Sequence, residues 1–263
     1  MIDILFIRHG ATEENLHRRY IGRTDEPLCA AGIAQAERLR GQNLFADCLF
    51  VTPLLRARQT AEIVFPQMPY ALVEGLRETD FGRFEGKNAD ELSSDPAYQA
   101  WVDAMCLTPI PGGEAVADFK KRCCKAFAET IAAVPDGMCA AFVVHGGVIM
   151  AVLESFARPK RDFYAYHIGN GEYLACTYDG QTLRVKSVAR YNSQCQGHNR
   201  ADNARNMPAA LDVKDKGGQR DQHAANDIGK VHKQLGLSAA GCEAVYRSEK
   251  VARHGRFEVI SPK

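Results

Sequence analysis

Short apolar runs alternate with stretches whose apolar positions recur every three or four residues through most of the chain. The runs Asp3 to Arg8, Cys48 to Thr52, Ala71 to Val73 and Cys139 to Val144 read as buried strands. Between them, Ala31 to Leu44 carries Ile33, Ala36, Leu39 and Leu44 at the spacing of one helical face. Leu54 to Val64 follows directly from a strand end, and Pro53 suits the first turn of a helix. Glu114 to Val134 opens after the turn signal Pro111-Gly112-Gly113, and Gly147 to Phe156 opens after another strand end. Tyr173 to Thr177 and Leu183 to Arg190, separated by Tyr178-Asp179-Gly180, read as a closing hairpin. Strands alternating with helices predict an α/β fold with a mainly parallel central sheet.

The pattern breaks near Tyr191. From Asn192 to Gly236 the chain is rich in Asn, Gln, Asp, Lys, Gly and Ala, too poor in large apolar residues to offset chain entropy. The expectation is one domain over 1–191 and a flexible or weakly structured extension over 192–263, with a short element near Ser238 to Ile260. Mixed rather than blocked charges favour a dispensable tail over a basic partner-binding arm.

Composition narrows the function classes. A chain of 263 residues with 46% hydrophobic content can build one sizeable core plus an appendage. With 33 Lys and Arg against 32 Asp and Glu, no global field points to nucleic acid or a membrane. The nine cysteines include no CxxC pair and no secretory apolar segment precedes them, so reduced thiols and a cytoplasmic protein are expected. The apolar stretch Met138 to Leu153 is too short for a bilayer and is interrupted by His145-Gly146-Gly147.

Five segments hold candidate chemistry. Arg8-His9-Gly10 sits at the carboxyl end of the first strand, where open α/β sheets bind ligands. Arg8 supplies a planar fork for phosphate oxygens, and a neutral imidazole on His9 is a competent nucleophile. Gly10 lets backbone approach a ligand. Asn15 and Thr24 can donate to a phosphate oxygen, although both are also ordinary turn residues. Arg56 falls in the first turn after Thr52-Pro53, where free N–H groups and the helix dipole attract anions. The run Leu76-Arg77-Glu78-Thr79-Asp80-Phe81-Gly82-Arg83-Phe84-Glu85-Gly86 crowds carboxylates among aromatics, so at least one acid is expected to be desolvated; Asp80 and Glu85 read as plain loop charges. His145-Gly146-Gly147 repeats the geometry of His9-Gly10 on another strand.

Together RHG, TPLLRARQTA, LRETDFGRFEG, PGGE and VVHGG resemble the histidine phosphatase (phosphoglycerate mutase-like) superfamily over roughly residues 1 to 191. The stretches FEGKNADELSSDPAYQAWVDAMCLTPIPGGE and ARPKRDFYAYHIGNGE are similar to the alpha-ribazole phosphatase-like branch. The resemblance implies a three-layer sandwich, helices flanking a mainly parallel sheet. It implies His9 as the nucleophile of a phosphohistidine, with Arg8, Arg56 and His145 clamping the phosphoryl group. Asn15 and the Gly10 backbone would be lesser donors, and Glu78 the general acid and then base. Thr52, Cys29, Arg23 and Phe84 depart from common family residues, the last two being positions that would reshape the substrate pocket.

Phosphoryl transfer asks for in-line placement and charge neutralisation, which two guanidiniums and an imidazole provide. No cofactor and no metal are expected, and the second ring nitrogen of a neutral His9 should be held as N–H by a nearby carbonyl. The best substrate guess is alpha-ribazole 5′-phosphate in cobalamin assembly. The alternatives are a phosphoglycerate mutase, disfavoured by the short insertion, and a catalytically silent binding module, disfavoured by the intact set of charged residues. The partner expected is a small phosphorylated metabolite, with no nucleic acid or membrane; a homodimer stays open.

Overall fold

The computed structural model describes residues 1–189. The extension expected over 192–263, its short element, and the final residue of the expected hairpin lie outside the described residues. Strands β1 (Ile2–Arg8), β2 (Cys48–Val51), β3 (Ala71–Leu72), β4 (Cys139–Val144), β5 (Tyr173–Tyr178) and β6 (Leu183–Ala189) form one sheet in the order β3-β2-β4-β1-β5-β6. The first four run parallel to one another, and β5 and β6 pair antiparallel as the expected hairpin. The helices are α1 (Glu13–Leu16), α2 (Ala30–Arg40), α3 (Leu55–Val64), α4 (Pro96–Asp103), α5 (Val116–Ile131) and α6 (Gly146–Phe156).

Period-two alternation makes the three layers. Ile4 and Phe6 of β1 join Phe142 and Val144 of β4 in a core with α5 and α6. Ile7, Leu49, Val51, Ala141 and Val143 point the other way, onto α2 and α3. The Phe142 ring lies 5.5 Å from Phe6, 5.1 Å from Phe50 and 5.5 Å from Phe127, so its truncation to Ala should cost about 3–5 kcal/mol.

Several boundaries differ from the sequence reading, among them the helix expected over Glu114 to Val134, which runs Val116–Ile131. The helix expected to reach Leu44 stops at Arg40, where Gly41 follows and Asn43 turns left-handed at φ 52°. Pro53 lies outside α3, because Leu54 is the extended N-cap. Two helices were not anticipated, α1 and α4; at α4 Asp95 accepts from the Ala97 amide and Pro96 opens the helix. Its Tyr98 and Trp101 pack with Phe84, Leu92, Cys106 and Ile110 into a separate small core.

Register brings the chemistry together. Arg8 pairs with Val144 and Val51 with Val143, so the next residues, His9, His145 and Thr52, leave three adjacent strand ends side by side. The His9 amide donates to Val144 O at 3.1 Å and the Thr52 amide to Val143 O at 3.2 Å, extending the ladders by one residue.

Candidate active site

His9, Arg56 and His145 are buried at 4%, 1% and 1% exposure, although none is an apolar residue. The ring centroids of His9 and His145 are 5.1 Å apart, edge to face. His9 Nδ1 lies 2.7 Å from the carbonyl of Gly10, an acceptor that fixes Nδ1 as N–H and leaves the Nε2 lone pair outward. This is the carbonyl partner that the sequence argument required. Arg56 Nε donates to that lone pair at 3.3 Å. Burial first, then the charges of Arg56 and Arg8, hold the His9 pKa well below its ordinary 6.5, so the ring is neutral. His145 is lowered the same way, by burial and then by Arg56.

Arg56 is held by backbone carbonyls: Nη1 donates to Thr24 O at 2.7 Å and Nη2 to Gly22 O at 2.9 Å. Thr60 ties both halves together, its Oγ1 accepting from Gly10 N at 3.0 Å and donating to Arg56 O at 2.7 Å. Arg8 Nη1 donates to Ile168 O at 2.7 Å. Arg8 Nε and His145 Nδ1 are buried with no hydrogen-bond partner among the described residues. A buried guanidinium N–H without a partner suits an anion, since it would otherwise forfeit about 1–3 kcal/mol.

Glu78 faces the same place. Its Oε1 accepts from the Thr79 amide at 3.0 Å and its Oε2 from the Gly147 amide at 3.0 Å, at the N-terminus of α6. Burial raises its pKa above the ordinary 4.5, outweighing those amide bonds and the charges of Arg56 and Arg8. A carboxyl whose pKa is raised, set in one cluster with a neutral imidazole, is suited to donate a proton while the imidazole attacks.

A cavity of about 600 Å³ borders this cluster: Arg8 and Glu78 line it together with Asn15, whereas His9, Arg56 and His145 are not among its lining residues. Trp101, Phe119, Met150, Phe163 and Tyr164 supply its apolar walls.

Not every sequence-named residue faces the cavity. Asn15 does, with its Oδ1 accepting from Asn170 Nδ2 at 3.2 Å. The Gly10 amide is occupied by Thr60, and a Cβ on Gly10 would sit 2.4 Å from Gly32 O, so its smallness serves packing against α2. The Thr24 hydroxyl donates to Glu85 Oε1 at 2.8 Å, and Thr24 serves the site through its carbonyl on Arg56. Glu85, read as a plain loop charge, also accepts from the Gly22 and Thr24 amides. Phe84 lies wholly inside the small core and Arg23 pairs with Asp80 at the surface, so neither shapes the cavity.

The family model described as "Histidine phosphatase superfamily (branch 1)" matches residues 4–190. The chain belongs to this superfamily. Members of the histidine phosphatase superfamily are enzymes, phosphatases or mutases. A 2,3-bisphosphoglycerate-dependent phosphoglycerate mutase from Nitrobacter winogradskyi is 29% identical over 167 residues, covering 57% of this chain and 78% of the relative. Among solved structures, a phosphoglycerate mutase from Thermus thermophilus aligns with TM-score 0.58 at 32% identity, covering 72% of this chain and 99% of that one. The alpha-ribazole phosphatase from Shigella flexneri aligns with TM-score 0.64 at 24% identity, covering 71% and 95%. That last likeness concerns the fold.

Sequence reasoning passed over several histidine phosphatase residues that the fold makes important: Thr60, Asn170 and the pair Glu114 and Arg122. Thr60 stood in the run TPLLRARQTA, one helical turn after Arg56, and that spacing was the available signal. Glu114 closed the PGGE motif and Asn170 stood in the run ARPKRDFYAYHIGNGE, whereas Arg122 carried no local signal. Among the described residues no helix is long and apolar enough to cross a membrane.

Proposed function

We propose that the protein is a phosphomonoester hydrolase that works through a phosphohistidine on His9 without a metal ion. The observation carrying this reading is the orientation of His9, with Nδ1–H on Gly10 O and Nε2 left as the unprotonated nitrogen, accepting from Arg56 Nε beside Arg8 and His145. In the first step His9 Nε2 bonds to phosphorus as the bond to the leaving oxygen breaks. The leaving oxygen keeps that electron pair and takes the Glu78 proton. In the second step the Glu78 carboxylate removes a proton from water, whose oxygen attacks phosphorus. The N–P bond breaks, its pair returns to Nε2, phosphate leaves and Glu78 is again protonated. Arg8 and Arg56 offset the charge on the equatorial oxygens throughout, and the neutral His145 contributes a hydrogen-bond donor.

The substrate we favour is alpha-ribazole 5′-phosphate. Its support is the set of rings in the cavity lining, Trp101, Phe119, Phe163 and Tyr164, which suits a leaving group bearing an aromatic base better than a small carboxylate. A phosphoglycerate mutase is the second reading, favoured by the names of the sequence relatives; the phosphoryl group would then pass to a hydroxyl instead of water. The test is a panel of alpha-ribazole 5′-phosphate, nucleotides, sugar phosphates and 3-phosphoglycerate, each with and without chelator. Phosphate release unaffected by chelator and an acid-labile phosphoprotein absent from His9→Ala are expected. Isomerisation of 3-phosphoglycerate without phosphate release would replace the hydrolase reading, and near-native turnover by His9→Ala would overturn the phosphohistidine.

A further inference from the structure

Glu78 lies in the segment from Gly75 to Asp80, which begins inside a single 3₁₀ turn (Glu74–Leu76) and belongs to no strand or helix at Glu78 itself. No ladder fixes such a segment, yet the proposed chemistry needs its carboxyl held to a fraction of an ångström. We propose that Arg122 and Glu114 form a bracket that holds this segment, making Arg122 a positioning residue for proton transfer by Glu78. The inference rests on the reading of Glu78 as the general acid.

All five N–H donors of Arg122 are accounted for. Nη1 donates to Gly75 O at 2.9 Å and to Arg77 O at 3.0 Å, and Nη2 reaches Glu78 O at 3.5 Å. Nε and Nη2 form a two-pronged pair with Glu114, 2.9 Å to Oε1 and 2.7 Å to Oε2. The carboxylate thus sets the plane of the guanidinium, and the guanidinium spaces three carbonyls along the segment. Only a planar fork can do both; an ammonium is a point charge. Glu114 grips the far end too, its amide donating to Asp80 O at 2.9 Å. The near end is pressed on α5, where a Cβ on Gly75 would lie 2.5 Å from the Ala126 Cβ. Arg122 does not line the active-site cavity, so its effect on the reaction passes through Glu78.

The experiment uses the full chain and compares kcat/KM for p-nitrophenyl phosphate, whose leaving group needs no proton, with kcat/KM for glycerol 2-phosphate, whose leaving group does. Arg122→Lys, Arg122→Met and Glu114→Gln are measured beside Glu78→Gln, with thermal melts on each. The expected result is a loss of about 10- to 100-fold on glycerol 2-phosphate, against less than about 3-fold on p-nitrophenyl phosphate, in each bracket variant that folds. If Arg122→Met does not fold, Arg122→Lys and Glu114→Gln decide. Equal losses on both esters, or no loss, beside a steep leaving-group dependence for Glu78→Gln would overturn the bracket alone. A flat dependence for Glu78→Gln would overturn the acid assignment and the bracket with it.

Discussion

Gly147 donates its amide to Glu78 Oε2 over 3.0 Å, and a Cβ on Gly147 would lie only 2.4 Å from Glu78 Oε1. One residue thus both anchors the carboxyl and leaves the room it occupies. The relation couples the first turn of α6 to a segment 69 residues earlier in the chain.

Gly147→Ala should therefore displace the carboxyl without emptying the core. The expected outcome is a fall in kcat/KM on an alkyl phosphate of roughly 100-fold, the lower range of general acid catalysis. Steady-state kinetics with a melting curve check it; activity within about twofold of the parent would show that the Glu78 seat is not critical.

The pH profile follows from opposite displacements. Attack needs His9 neutral and Glu78 protonated, and burial lowers the former while raising the latter. The acid limb of kcat/KM should thus fall well below pH 6.5, and the alkaline limb should follow Glu78 at a position above 4.5. Glu78→Gln should abolish the alkaline limb on alkyl esters, and an unchanged limb in that variant would assign it elsewhere.

Stability should also respond to acid. His9 and His145 are held neutral in the folded protein, with lowered pKa, whereas the unfolded chain takes up protons below 6.5. Their contribution is complete above pH 6.5 and is lost as pH falls toward the folded values, by up to about 1.4 kcal/mol per pH unit for each ring. Glu78, with a raised folded pKa, acts in the opposite sense above 4.5. Urea midpoints across roughly pH 5 to 7 should therefore depend less on pH in His145→Asn than in the parent.

The apolar wall makes a claim about leaving groups. Phe163 lines the cavity with its ring under the Lys120 ammonium, 4.4 Å from the centroid. Phe163→Ala should raise KM for alpha-ribazole 5′-phosphate about tenfold, the loss of a partly buried ring contact. KM for glycerol 2-phosphate should hold steady, and a matching rise there would argue against an aromatic subsite.

Much of this was legible in the residues. The β1 and β4 runs, with their period-two faces, announce a buried parallel sheet, and His9 and His145 stand where such strands end. The helix α4 was missed because its apolar positions face a private core of Phe84, Leu92 and Cys106 rather than the sheet. Gly10 and Thr24 read as donors to a ligand because a sequence shows hydrogen-bonding capacity and not its prior occupation by Thr60 and Glu85.

By itself, the order of residues determined the strands, the helices that separate them and the residue types available for phosphoryl chemistry, since periodicity and side-chain chemistry are local properties. Tertiary structure decided which nitrogen of His9 carries the proton, that Glu78 is the acid burial acts on, and that Arg122 and Glu114 bracket a carboxyl they do not adjoin in sequence. Those outcomes depend on desolvation and on distances between segments, and both exist only once the chain has closed on itself.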